Sequence, residues 1–466
     1  MLQKRGHAAR RCDCWSKSAL GRNDRILHHR FKLKFVALAE AEFEDACLKS
    51  RGAAVETGSV YREAHVTCQF NETKIGGGKT APDRAALYNA ALVRYLDFND
   101  SYLAKYETCH PSDNLGAVLA ASEYAGKSGK DFLTALAVAY QVQCRLSDVA
   151  PVRAKGFDHT TQGAYAVAAG VAKALGLGQK KTANAIAISG TANNALRVTR
   201  TGSLSNWKGL AYPHTAFAAT SDTFLAMHGI TGPLEVFEGT KGFMDAIAGH
   251  FEIDWLGENL EIVRRTNIKK YNAEFHAQSA LEGVLELREV HHLRADEIER
   301  IEVEIFDVAY HIIGGGEEGN KLHIQTKEEA DHSLPYMVAV ALLDGEVTPR
   351  QYAPKRIERH DVQTLLRKVE VRPNEEMSEL FPEAIPCQIQ VFLKNGRILS
   401  IEKEDYEGFY TQPMSWEKAS EKFERLAKPF TDEELRQGII EAVARLETLE
   451  VQQLTELLTY VRKGEL

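Results

Sequence analysis

Nowhere in this chain do two cysteines stand at the C-x-x-C spacing. The seven present, Cys12, Cys14, Cys47, Cys68, Cys109, Cys144 and Cys387, are odd in number and scattered. Such a set builds no disulfide framework and argues for a reducing compartment. It also gives no support to a zinc ribbon or a three-cysteine iron–sulfur site. No histidine pair stands at i, i+4 on a helix, so no metal and no cofactor are expected. Excess positive charge is lacking too: the formal net charge is -8 and the pI is about 6.1, which excludes the basic face a nucleic-acid binder needs. No apolar run approaches the roughly 20 residues of a membrane-spanning helix, so no membrane partner is expected. What is there is ordinary globular composition, 44% hydrophobic and 26% charged. At 466 residues the chain exceeds what one core usually organises, and two domains are expected.

The densest polar chemistry lies in LDFNDSYLAKYETCHPSDNLG, residues 96 to 116. Asp97, Asn99, Asp100, Ser101, His110, Ser112, Asp113 and Asn114 crowd between a helix ending near Tyr95 and an apolar helix starting near Leu115. An imidazole that titrates near neutrality, carboxylates beside it and a hydroxyl are what proton transfer requires. The plainer reading is a turn in which Ser112 or Asp113 caps the helix at Leu115. Cys109, beside His110, reads as a small buried hydrophobe rather than a reactive thiol.

Residues 1 to 34 hold ten basic residues against only Asp13 and Asp24. That is the composition of a mitochondrial presequence, yet the tract to about residue 75 has no sustained apolar period. A poorly ordered, atypical extension is expected over 1–75, in a cytoplasmic protein, with a mitochondrial address as the alternative. Gly76-Gly77-Gly78-Lys79-Thr80 ends like a P-loop, but Thr73 replaces its opening glycine, so it reads as a plain loop. From Ala81 onward, Ala/Leu/Val residues at helical spacing predict helices over 115–125, 131–142, 165–175, 182–189 and 215–227. The loops KGFDHTTQGAY and NNALRVTRTGSLSNWKG between them are again polar, carrying His159, Arg197, Arg200 and Lys208. Near Ile268 the pattern changes. IERIEVEIF alternates as a half-buried strand, Val369 to Val371 is a second, and Asn395-Gly396 marks a hairpin within 388–403. Thr431-Asp-Glu-Glu434 reads as a capping box ahead of two further helices. The expected architecture is mainly α: an all-helical domain over 76–270, an α+β domain over 271–406, and helices in 407–466 that return to the first domain.

Lined up, LDFNDSYL with HPSDNLGA, KGFDHTTQGAY, ALRVTRTGSLSNWKG, IKKYNAEFHAQSALEG and DHSLPYMVAVALLDG resemble, in that order, the blocks of the MmgE/PrpD family. That family includes 2-methylcitrate dehydratases and cis-aconitate decarboxylases. The resemblance implies a helical main domain, a smaller α+β lid, a cleft between them, a homodimer and a place in propionate catabolism. It also implies a site built from Asp97, Ser101, His110, His159, Lys208, Lys269 and Glu274. Decarboxylases of the family carry a histidine a few residues after the IK pair. Here Glu274 stands there with His276 two further on, a pattern closer to the dehydratases.

Dehydration of a hydroxy-tricarboxylate removes a proton next to a carboxylate and expels hydroxide, so it needs a base, an acid and positive charge. Lys208, Lys269, Arg197 and Arg200 can bind carboxylates, the arginines bidentately. His110 and His159 are the natural proton carriers, with Asp97 orienting one or acting itself. Ser101, Glu274 and His276 complete the expected substrate contacts. A metal-independent dehydratase of 2-methylcitrate is therefore expected. The alternatives are a cis-aconitate decarboxylase of the same family and, from another class, an inactive helical assembly protein.

Overall fold

The computed structural model describes residues 72–202, 204–316 and 320–462; the extension expected over 1–75 lies almost wholly outside them. Six long helices build the first unit: α1 Pro82–Arg94, α2 Leu115–Tyr124, α3 Gly129–Val149, α4 Thr160–Ala174, α5 Gln179–Ala192 and α6 Trp207–Met227. Their starts follow local chemistry. Pro82 opens α1 at a position that needs no N–H, and the Ser128 side chain caps α3 by accepting from Asp131 N. Alanine and glycine let the helices approach closely. A Cβ on Gly116 of α2 would lie 2.3 Å from the Ala90 nitrogen of α1, and one on Gly170 of α4 would lie 2.8 Å from the Ala139 Cβ of α3. α4 is the central element, buried along its length except at Lys173 and packed on α3, α5 and α6.

Two helices begin earlier than their apolar periodicity suggests. α4 starts at Thr160, because Asp158 receives the Thr160 and Thr161 amides and so begins the helix inside the polar loop. α6 starts at Trp207 and carries Pro213 inside it. Burial against α1, α4 and α5 outweighs the roughly 3 kcal/mol that an internal proline costs. The stretch after α1 also holds more structure than a loop. Strands β3 Tyr102–Ala104 and β4 Glu107–Cys109 form a short antiparallel hairpin, and Pro111–Asn114 is a 3-10 turn. Neither Ser112 nor Asp113 caps α2; both accept from the Asn99 amide instead. The Gly76–Gly78 run is the turn of another small hairpin, β1 Glu72–Thr73 with β2 Lys79–Thr80, and all three glycines have positive φ.

The second unit is a four-stranded sheet: β5 Ile298–Ile305, β6 Val369–Pro373, β7 Cys387–Leu393 and β8 Ile398–Lys403, in the order β6-β5-β7-β8. β5 runs parallel to β6 and antiparallel to β7, and Gly396 (φ 83) turns β7 into β8. On β7, Cys387, Ile389, Val391 and Leu393 point inward in strict alternation. Helices α7 Gln278–His291 and α8 Leu334–Asp344 pack together in this second core. Helices α9 Trp416–Ala427, α10 Glu433–Ala444 and α11 Val451–Thr459 then return to the first core, where Phe423, Val443, Leu446 and Leu454 join residues of α1–α3. The cap of α10 is Asp432, accepting from Leu435 N, rather than Thr431, whose hydroxyl donates to Ala427 O at the end of α9. The fold is thus mainly α, a helical domain completed by the C-terminal helices, with a smaller α+β domain.

The segment joining the domains is stitched to the polar loop. Ser101 and Asn267 exchange backbone hydrogen bonds, and Asn272 Nδ2 donates to Leu96 O. The loop therefore faces the α+β domain.

Candidate active site

One narrow cleft, with a cavity of about 60 Å³, gathers residues from both domains. From the helical side come Asp97, His110, His159, Arg197, Arg200 and Lys208, together with Arg94; from the other side come Glu274, His276 and His332. Two expected site residues sit behind this lining. Lys269 is fully buried, its Nζ 2.9 Å from Asp97 Oδ1 and 2.5 Å from Asp97 O. Ser101 is likewise buried, with Oγ 3.1 Å from His110 Nδ1. Both position other residues. A roomier cleft lies between Glu346–Arg350 and Glu421–Phe430 but contains no histidine, so chemistry and not size selects the site.

Two histidines, His110 and His276, are held by one nitrogen each, and a third, His159, lies beside a carboxylate. His110 Nδ1 lies 2.7 Å from Asp100 O. A carbonyl only accepts, so Nδ1 carries the hydrogen and Nε2 is the basic nitrogen of the neutral ring. His159 Nδ1 lies 3.4 Å from Asp158 Oδ1, and Asp158 is held in turn by Arg200 Nε at 2.8 Å. His276 Nδ1 lies 2.8 Å from Glu274 Oε1. The Nε2 atoms of His159 and His276 are buried without a hydrogen-bond partner, the state expected of groups that await a ligand. The rings of His110 and His159 meet edge to face, 5.5 Å apart.

Electrostatics sets their protonation. Burial, with Arg94 adding to it, holds His110 well below the usual histidine value. Burial lowers His159 to about 3 despite Asp158. Both rings are neutral at pH 7, so each has a free lone pair to accept a proton, and the same burial weakens it as a base. Burial raises the Glu274 carboxyl, but His276 pulls it down further, to about 2. Asp113, behind Arg94, shifts the other way, because burial outweighs Arg94 and lifts it to about 7, and burial likewise raises Glu107 at the cleft.

Asp97 is the hub of a charge network. It adopts φ 54, a left-handed conformation that aspartate tolerates better than most residues. Its carboxylate receives Arg94 at 2.5 Å and Lys269 at 2.9 Å, with Lys208 at 3.4 Å. Burial opposes its ionisation, yet Arg94, Lys269 and Lys208 hold it well below the usual carboxylate range. Lys208 Nζ also lies 3.1 Å from Asp331 Oδ1 and 2.9 Å from His332 Nδ1. Burial outweighs these anions and lowers Lys208, which makes it a better proton donor than an exposed lysine. Asp97, Asp331 and His332 could between them offer three ligand atoms to a cation. The Lys208 ammonium lies within 3.4 Å of all three groups.

Sequence reasoning missed Arg94, Asp331, His332 and Lys327. Arg94, the last residue of α1, is 2% exposed. Asp331 and His332 stood in a block used only for resemblance, and Lys327, whose Nζ lies 2.8 Å from Asp331 Oδ2, stood outside it. Asp-His before an apolar helix was the available signal. Arg200, expected to clamp substrate, lines the cleft but spends its guanidinium on Asp158 and on Lys208 O.

Comparison with known proteins bears on this arrangement. The chain is 30% identical over 358 residues to a mitochondrial 2-methylcitrate dehydratase of Yarrowia lipolytica, a match covering 71% of this chain and 67% of that protein. It is 28% identical to the Escherichia coli 2-methylcitrate dehydratase, covering 62% of each, so this match spans less than two thirds of the bacterial enzyme. It is 27% identical to the cis-aconitate decarboxylase of Mus musculus, covering 79% of this chain and 76% of that protein. The model of the MmgE/PrpD N-terminal domain matches residues 37–256, beginning inside the stretch read from sequence as an extension, and that of the C-terminal domain matches residues 271–448. With both models matched in order across most of its length, the chain belongs to the MmgE/PrpD family.

Proposed function

We propose that this protein is a metal-independent lyase that dehydrates 2-methylcitrate to 2-methyl-cis-aconitate, acting as a homodimer in propionate catabolism. The observation that carries the reading is the pair of neutral histidines, His110 and His159, with basic Nε2 atoms in a cleft that also holds Lys208, Arg94 and Arg197. Arg197 meets a substrate carboxylate, Arg94 holds Asp97, and Arg200 fixes Asp158 beside His159. A histidine Nε2 takes the proton from the carbon next to a carboxylate. The C–O bond breaks as the C=C bond forms, and Lys208 Nζ gives a proton to the departing hydroxyl, which leaves as water. Asp97, held by Lys269, keeps Lys208 in place. Metal independence is supported by the Lys208 ammonium standing among the three groups that could otherwise ligate a cation.

The decarboxylase reading uses the same cationic cleft but loses carbon dioxide from cis-aconitate. Glu274 paired to His276 favours the dehydratase, because the decarboxylases of the family carry a histidine in the place of Glu274 and the Glu274–His276 pattern is closer to the dehydratases. Purified protein, before and after chelation, is incubated with 2-methylcitrate and with cis-aconitate while ultraviolet absorbance and carbon dioxide are followed. Chelator-resistant absorbance from 2-methylcitrate is the expected result. Carbon dioxide from cis-aconitate selects the decarboxylase, and no turnover of either leaves the assembly protein.

A further inference from the structure

The cleft is almost entirely polar. Among the described residues that line it, Ile312 is the one aliphatic side chain; the others are arginines, lysine, histidines, carboxylates and Thr108. We propose that Ile312 is a specificity-determining residue that receives the alkyl substituent of the substrate and so separates a methyl-bearing hydroxy-tricarboxylate from its unmethylated counterpart. This rests on the dehydratase reading above and deepens it.

The position of Ile312 is built by packing. It lies in a five-residue π-turn, Tyr310–Gly314, a geometry frequent at functional sites. Ile313 beside it is fully buried in the α+β core and anchors the turn, while Ile312 keeps 6% exposure and borders the cleft. The glycines that follow are sterically required. A Cβ on Gly314 would lie 2.9 Å from both the Tyr310 ring and Val371 Cγ1, and one on Gly316 would lie 2.5 Å from His311 Nδ1. The turn is thereby pressed against β6, and His311 Nε2 is tied to Asp307 at 3.1 Å.

The chemistry of the wall fits one kind of group. Isoleucine offers no donor to a carboxylate or hydroxyl, and a polar substrate group buried against it would lose its water without compensation. A methyl group loses nothing there, and one such group in an apolar niche is worth about 10- to 200-fold in discrimination.

The test uses the purified full-length protein, with kcat/KM measured for 2-methylcitrate and for citrate in the parent, Ile312→Val and Ile312→Ala. The parent is expected to prefer 2-methylcitrate. Ile312→Ala should lower the ratio of the two values by about tenfold or more, and Ile312→Val by a few-fold, with citrate turnover little changed. Valine retains the buried shape, so it decides the matter if the alanine variant does not fold. A parent that prefers citrate, a ratio that stays within about twofold in both variants, or an equal fall for both substrates overturns the assignment of Ile312 and leaves the dehydratase reading standing. A parent that turns over neither substrate overturns that reading, and this inference with it.

Discussion

Asp97 at φ 54 accepts from Arg94 and Lys269 and faces Lys208, so its backbone and its charge are both specified. Asp97→Asn should cost about 3–5 kcal/mol, because buried cations lose their counter-charge. Asp97→Ala should cost about 1 kcal/mol more, since alanine tolerates the left-handed region poorly; urea unfolding measures both. Lys208 and His159 should separate in a parallel experiment. His159→Ala is expected to lower turnover by about a hundredfold or more with a nearly unchanged melting temperature. Lys208→Met should lower turnover as much and also lower the melting temperature, because Asp331 then keeps only Lys327 as a partner lysine. A Lys208→Met variant that melts like the parent would mean the network carries little charge. Protonation gives a further test. His159, lowered to about 3 from an ordinary 6.5, binds its proton less readily folded than unfolded. Its contribution to stability is full above about pH 6.5 and is lost as pH falls from there toward 3. Urea midpoints should fall over that interval, and less steeply in His159→Gln. Asp113, raised to about 7, acts in the opposite sense, losing its contribution as pH rises from about 4 through 7.

At the scale of elements, small residues carry the helical contacts. Gly116 faces the α1 backbone itself, which cannot rotate away as a side chain could. Gly116→Ala is therefore expected to push α1 from α2 and to destabilise by about 1–3 kcal/mol or more, read as a fall of several degrees in melting temperature. An unchanged melting temperature would show that the two helices can move apart freely. Gly163 meets the Tyr212 ring, which stacks on His159, so a helix contact also sets a site residue. Much of this level was legible. Alanine at helical spacing marked α1 to α6, and alternation at Ile301, Val303 and Ile305 marked β5. The misses have local causes. The β3–β4 hairpin has three-residue strands, too short to show a period. The first turns of α4 and α6 are polar because they serve the site, and Pro213 hid the start of α6.

Across the whole molecule, the C-terminal helices do more than fill the first core. Lys422 of α9 reaches back to donate to Phe98 O and Lys269 O, with its Nζ 3.6 Å from the Phe98 ring centroid. It thus ties the chain's last part to the loop before the site and to the segment joining the domains. Lys422→Met keeps the apolar stem but removes the donors, and should cost about 1–3 kcal/mol by stranding two buried carbonyls. It should also raise KM for the substrate, since Lys269 holds Asp97; a variant with parental stability and KM would separate this tie from the site.

The sequence by itself determined the mainly α class, the α+β unit, the family resemblance and most of the site's residue types. These depend on period, composition and motif, which are properties of neighbouring residues. Only the tertiary structure decided that Lys269 and Ser101 stand behind the cleft, that Arg200 is occupied by Asp158, and that Arg94 and His332 line the cleft while Asp331 meets it through Lys208. It also decided which histidine nitrogen is held and which is left without a partner. Lys208 and Asp331 are 123 positions apart, and Lys269 and Asp97 are 172 apart. Their charges are matched through burial and packing across two domains, and no local pattern along the chain encodes such a distance.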